Sequence, residues 1–179
     1  MKIEPIGPDR AARLVPLLED LHAVHVAHHR DRYTPNPDPA HLSEWLSEWL
    51  AEPNVHALAA ISPQEALMGY LIYDIEKRPA LPVRPAETRA MLHHIAVAAP
   101  LRGIGVGKAL MTQMKEDALA KGADVIGVTY APFNAASAAL MRHFGLEPVM
   151  TMAEWRRPSD EASQEPPQPT SETSPQEAI

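Results

Sequence analysis

Residues 92–110 read LHHIAVAAPLRGIGVGKAL, and no other part of the chain carries so definite a pattern. The stretch predicts an apolar strand that runs through a glycine-rich loop into a helix. Such a turn leaves several backbone N–H groups without partners at the positive end of a helix dipole, which is a site for phosphate. Spacing decides which phosphate ligand is meant. A dinucleotide fingerprint, G-x-G-x-x-G, counted from Gly103 needs glycine at position 108, where Lys108 stands. A Walker loop counted back from Gly107 and Lys108 needs glycine in place of Arg102 and a hydroxyl in place of Ala109. Both readings fail.

What fits is R-x-x-G-x-G, as Arg102, Gly105 and Gly107, preceded by Ile95, Ala96 and Val97 and followed by an amphipathic helix. In this motif the chain resembles the GNAT superfamily of acetyl-CoA-dependent N-acetyltransferases. The resemblance covers about residues 1–156 in element order and is specific over 92–145. It implies an α/β (α+β) fold: a mixed, mostly antiparallel, twisted sheet of six or seven strands with a parallel, splayed central pair, flanked by about four helices. Three glycines within residues 103–107 are more than a bare turn needs, because each weakens a helix interior by about 0.8–1 kcal/mol.

Composition narrows the classes. A chain of 179 residues, 45% hydrophobic, is long enough for one domain with a substantial core. It has no run of 18 apolar residues and no charged-then-apolar leader at its start, so a soluble, cytoplasmic protein that does not engage membranes is expected. The absence of cysteine removes disulfides, thiolate metal sites and a sulfur-linked acyl-enzyme. The formal charge of −7 is unevenly spread. Residues 158–179 hold five acidic and no basic side chains, which leaves 16 basic against 18 acidic in residues 1–157. That balance offers no basic stripe for nucleic acid. Two parts are expected: an acetyltransferase domain over residues 1–157, and a disordered tail over 158–179, rich in Pro, Ser and Glu.

Along the chain, residues 2–6 alternate as a first strand, and Asp9 is a plausible N-cap for the helix that follows. Pro16 predicts a bend or restart in that helix. His22, His25, His28 and His29 crowd its end. His25 and His29 have the i, i+4 spacing of a metal pair but lack the glutamate of H-E-x-x-H, so no metal is expected and solvated or pocket-lining histidines are the plainer reading. Residues 30–39, studded with proline, predict a loop, and Asp38 caps a helix carrying Leu42, Trp45, Leu46, Trp49 and Leu50. A tryptophan pair one turn apart predicts core packing. Residues 55–61 and 67–77 predict a hairpin, 78–87 a loop, 88–97 the central strand, and 125–130 a buried parallel strand. Val106, Leu110, Met114 and Ala118 form the apolar stripe of the helix between those last two. Asn134 opens a further helix that Gly145 closes, and residues 146–156 predict one or two final strands.

The resemblance assigns roles. It implies that the N–H groups of Arg102, Gly103, Ile104, Gly105, Val106, Gly107 and Lys108 hold the coenzyme A pyrophosphate, that Val97 pairs with the pantetheine, and that the Ile95 N–H faces the acetyl carbonyl. Asn134 matches a position that touches the cofactor, although an N-cap would also explain it. His93 stands four residues before Val97, where arylalkylamine N-acetyltransferases carry a catalytic histidine. An alkyl ammonium near pKa 10.4 needs such a base, and histidine near 6.5 is suited to it. Strict alternation places Met91, His93, Ile95 and Val97 on one face and His94 on the other. His94, Glu87 and ordered water stay open as alternative bases. The family's usual acid, a tyrosine four residues before the closing glycine, is replaced by Met141, which leaves Tyr130 or Ser137 as candidate donors. The acceptor expected is a primary amine of a small molecule or peptide. A non-catalytic acyl-CoA-binding sensor is the alternative that Met141 motivates. Homodimers are common among proteins that look like this one.

Overall fold

The computed structural model describes residues 1–157, and the tail expected over 158–179 lies outside the described residues. Five strands form one sheet in the order β1-β2-β3-β4-β5. They are β1 (Lys2–Pro5), β2 (Val55–Ile61), β3 (Leu67–Arg78), β4 (Glu87–Val97) and β5 (Val125–Val128). Every neighbouring pair is antiparallel except β4 with β5. That pairing is parallel because the chain must cross over through a helix, α3 (Val106–Ala120), before it can return in the same direction. β2 and β3 are joined by a tight turn in which the Ser62 hydroxyl oxygen accepts from the N–H groups of Gln64 and Ala66.

Both faces of the sheet are covered, so β3 is apolar without alternation. Leu71 and Ile72 are each fully buried on opposite sides. One face packs on a 3-10 segment (Pro8–Leu14), α1 (Val15–His28) and α2 (Pro39–Leu50) through Leu14, Leu18, Leu46 and Leu50. The other packs on α3 and α4 (Ala135–His143), with Val106, Leu110, Met114 and Ala118 buried as the expected stripe.

Pro16 causes the expected restart. The 3-10 segment ends at Leu14, and Pro16 sits in the first turn of α1, where its missing N–H has no partner to lose. Asp9 does not cap. Pro8 takes the opening position of the 3-10 segment, which puts Asp9 inside its first turn and leaves Gly7 as a cap without a side chain. Asp38 does cap α2, its Oδ1 accepting from the His41 N–H at 3.0 Å. α4 ends as expected at Gly145, where the Leu146 N–H donates to Met141 O at 3.0 Å and a φ of +75° favours glycine.

Two further expectations fail. β4 contains a bulge: Ile72 faces His94 while Tyr73 faces Leu92, so His93 is an extra residue. Alternation therefore resets there. Ala90, Leu92, Ile95 and Val97 pack toward α3, whereas His93 and His94 both reach the side of α2. The final strands expected over 146–156 are also absent among the described residues. Residues 148–157, which belong to a unit distinct from 1–147, contain no helix or strand. Pro148 lacks a ladder donor, and alternating side chains do not by themselves supply the backbone partners a strand requires.

Candidate active site

The loop after β4 is a backbone cradle. Gly103 and Gly105 adopt φ of +84° and +97°, and a Cβ on either would meet nothing within 4 Å, so the loop opens onto free space. The first bond into α3 runs from the Ala109 N–H to Gly105 O at 3.0 Å. Among the described residues, no N–H from 103 through 108 donates to a backbone carbonyl, whereas the Arg102 N–H, expected to belong to the same set, donates to Ala99 O at 3.3 Å. Val106 is 1% exposed and anchors the helix start in the core, while Ile104 is 65% exposed on the loop. Gly107 needs no unusual backbone; it lies where α3 passes Leu140 of α4.

A glycine that sequence reasoning missed makes this approach possible. A Cβ on Gly69 of β3 would lie 2.8 Å from Ala96 O and 3.1 Å from Val106, so only glycine lets β4 and the start of α3 come this close. An isolated glycine in an otherwise apolar strand was the available signal.

Beside the cradle, β4 has an unpaired edge. β5 pairs with β4 only from Arg89 to Leu92, so the two strands part at His93. The Ala98 N–H donates to Met68 O of β3. Because backbone groups alternate in direction along a strand, those of Ile95 and Val97 turn the other way, toward the side that β5 has vacated. Arg102 confirms the direction for Val97, donating from Nε to its carbonyl at 3.1 Å. Lys108 lies in the first turn of α3 and is exposed. Asn134 caps α4, its side chain accepting from the Ser137 N–H at 3.0 Å.

On the α2 side of the same strand, His93 Nε2 lies 3.0 Å from Asp74 Oδ2, with the histidine side chain one-third exposed. His94 is half-buried, and its Nδ1 is buried without a partner. Burial first, and then the neighbouring His93 and His25, push its pKa down to about 4. Trp49 covers both imidazoles, at ring separations of 5.4 Å from His93 and 5.2 Å from His94. Trp49 also packs against the core, as expected of the pair, but Trp45 is 45% exposed and stacks on it at 5.2 Å. Behind His94 lies Tyr70, whose hydroxyl is buried without a partner and whose pKa is pushed up by burial.

The three histidines of α1 and its C-cap His29 pack against aromatic rings. His28 stacks on Phe133 at 3.8 Å, His25 and His29 flank the same ring, and His22 and His25 contact Tyr33. These contacts tie the 30–39 loop and the segment before α4 to the end of α1. Among the described residues no His, Asp and Glu side chains gather in a group of three placed to hold a metal.

Some candidates are not brought together. Glu87 is paired with Arg89 at 3.0 Å and stands six residues up the strand from His93, roughly 20 Å away at strand rise. Tyr130 packs with the α3-side core, and Met141, 1% exposed, belongs to that core as well. Asp74 and Phe133 were missed in the sequence, because neither sits in a motif.

Residues 20–146 match the acetyltransferase (GNAT) family. Among solved structures, the BH1408 protein from Bacillus halodurans, as a mutant, aligns with a TM-score of 0.77 and 18% identity over 88% of this chain and 99% of that one. An aminoglycoside acetyltransferase, AAC(6')-Iy, bound to a bisubstrate analogue of coenzyme A, aligns at 0.67 and 18% over 88% and 98%. A ribosomal-protein-alanine N-acetyltransferase from Brucella melitensis biovar Abortus aligns at 0.64 and 17% over 88% and 100%. No curated protein matches the sequence.

Proposed function

This chain belongs to the acetyltransferase (GNAT) family, and on that premise we propose that it moves the acetyl group of acetyl-CoA directly to a primary amine of a small molecule or peptide. The observation that carries the reading is the coincidence, at one end of β4, of unpartnered N–H groups, a vacated strand edge and an imidazole held by a carboxylate. Solved relatives named for an aminoglycoside and for a ribosomal-protein alanine support an amine acceptor.

Acetyl-CoA supplies a thioester carbonyl and a thiol leaving group. The N–H groups of residues 103–108 bind its pyrophosphate, with Lys108 adding positive charge. The Ile95 N–H, facing the vacated edge, donates to the carbonyl oxygen, a contact worth about 2.7–4 kcal/mol in other enzymes. The Val97 N–H faces that edge too and pairs with the pantetheine, while the Val97 carbonyl stays with Arg102. Asp74 holds His93 through Nε2, so Nδ1 is left to take the ammonium proton directly or through one water. The nitrogen then forms its bond to the carbonyl carbon, the carbon–sulfur bond breaks, and the proton released is returned to sulfur through solvent or by Tyr130. Met141 cannot donate, but a thiol near pKa 8.5 leaves acceptably as thiolate.

With all three components bound together, no acyl-enzyme is needed, in keeping with a chain that has no cysteine. The burial of Met141 favours a second reading, a protein that binds acyl-CoA without turnover. Two measurements decide. Acetyl-CoA at 100 times its dissociation constant should raise the melting temperature by roughly 5–11 °C, with no shift from ATP or NAD. A panel of primary amines should then drive release of free thiol. Binding without amine-dependent release would select the second reading, and no shift with acetyl-CoA would overturn both.

A further inference from the structure

The exposed stripe of α2 has a composition the reaction does not require. Trp45, Glu48 and Trp49 follow i, i+3, i+4 spacing and share one face of α2, and Glu52 stands just past the end of the helix. They line a concavity of about 290 Å³. The opposite face of the helix, with Leu46 and Leu50, is buried in the core, so this stripe is free to serve a ligand.

Its chemistry is that of a cation site. Two carboxylates one turn apart repel each other, and among the described residues neither Glu48 nor Glu52 has a basic partner. Trp45 keeps nearly half its surface in solvent although it stacks on its neighbour. Indole faces attract ammonium groups more strongly than other aromatic rings do, and flanking carboxylates add to that attraction. The stripe is also continuous with the site already described, since Trp49 lies 5.4 Å from His93 and Trp45 lies 6.1 Å from His94. The unpartnered Nδ1 of His94 beneath the two indoles is a further polar atom facing no protein group.

We propose that this stripe is a second cation subsite, which selects acceptors bearing another ammonium group an alkyl spacer away from the amine that reacts. The acceptor class is then the aliphatic diamines and polyamines. This rests on the acetyl-transfer reading above and narrows it. The reacting amine sits at His93, loses its proton there and is acetylated, while the distal ammonium stays charged between the indoles and the two carboxylates.

The test compares α,ω-diaminoalkanes with n-alkylamines of equal length. The kcat/KM ratio of diamine to monoamine should be about tenfold or more in the wild type. It should fall toward one in the Glu48→Gln/Glu52→Gln double variant and be reduced in Trp45→Leu. Added salt should lower the wild-type ratio more than that of the double variant. A wild-type ratio near one, or a ratio the double variant leaves intact, overturns the proposal. Both glutamates are exposed, so the double variant should keep its helix. Calorimetric titration of the diamine into the protein needs no turnover and separates the two readings. Binding that depends on Glu48 and Glu52 supports the subsite even where no amine releases thiol, an outcome that sinks only the enzyme assignment. Diamine binding indifferent to both carboxylates, or no binding at all, overturns the subsite itself.

Discussion

The two sides of β4 are made of different materials. Toward α3, the site is main chain: residues 103–108 present N–H groups, and side chains matter mostly by their absence, as at Gly103 and Gly105. Toward α2, it is side chain: His93 held by Asp74, a half-buried His94 whose Nδ1 has no partner, and two stacked indoles. A backbone cradle recognises a group by geometry that many sequences can supply, provided glycine stands where φ is positive. A side-chain pocket is specific to the residues chosen. On the acetyl-transfer reading proposed above, one edge of the strand takes the cosubstrate and the other face the acceptor.

The contrast can be broken experimentally, beginning with the largest effect. Gly105→Glu should abolish the acetyl-CoA thermal shift, since it puts a carboxylate into the phosphate cradle and a side chain at a φ of +97°. Gly107→Ala should retain the shift, because its Cβ would meet Leu140 at an ordinary 3.5 Å. Equal damage from both would contradict the backbone account. His93→Ala should lower kcat by roughly 10²–10⁴-fold while acetyl-CoA binding persists. Asp74→Asn should lower it less and alter the pH profile of kcat; a profile unchanged in both variants would remove the pair from proton transfer.

His94 sharpens the comparison through pH. Its folded pKa of about 4 lies below the ordinary 6.5, so between these values the unfolded chain binds the extra proton. Stability from keeping this imidazole neutral is thus complete above pH 6.5 and lost as pH falls toward 4, by on the order of 3 kcal/mol. Urea unfolding across that window should show the wild type losing more than His94→Phe. A parallel loss would mean that His94 is not the group that titrates. The smallest effect is expected from Asp38→Ala, which removes the α2 cap and should lower the urea midpoint slightly. It should raise the KM for amine but leave that for acetyl-CoA alone, because α2 carries only the tryptophan side of the site.

Much of this was legible in advance. The glycine loop, the strand before it, the stripe of α3, the hairpin and the caps at Asp38 and Gly145 all follow from local rules: glycine tolerates positive φ, aspartate bonds nearby N–H groups, and apolar residues at helical spacing must be buried. The parallel crossover was readable for the same reason. What could not be read was set by partners distant in sequence. The bulge at His93 exists only in register with β3, and it overturns the assignment of faces that strict alternation gives. Asp74 becomes an orienting group only because β3 brings it beside β4, and Phe133 gathers histidines from a helix a hundred residues earlier. Local chemistry in the sequence determined the elements and the glycine-rich loop. Tertiary structure alone decided which side chains share a face of β4, because register and packing depend on contacts that no single segment contains.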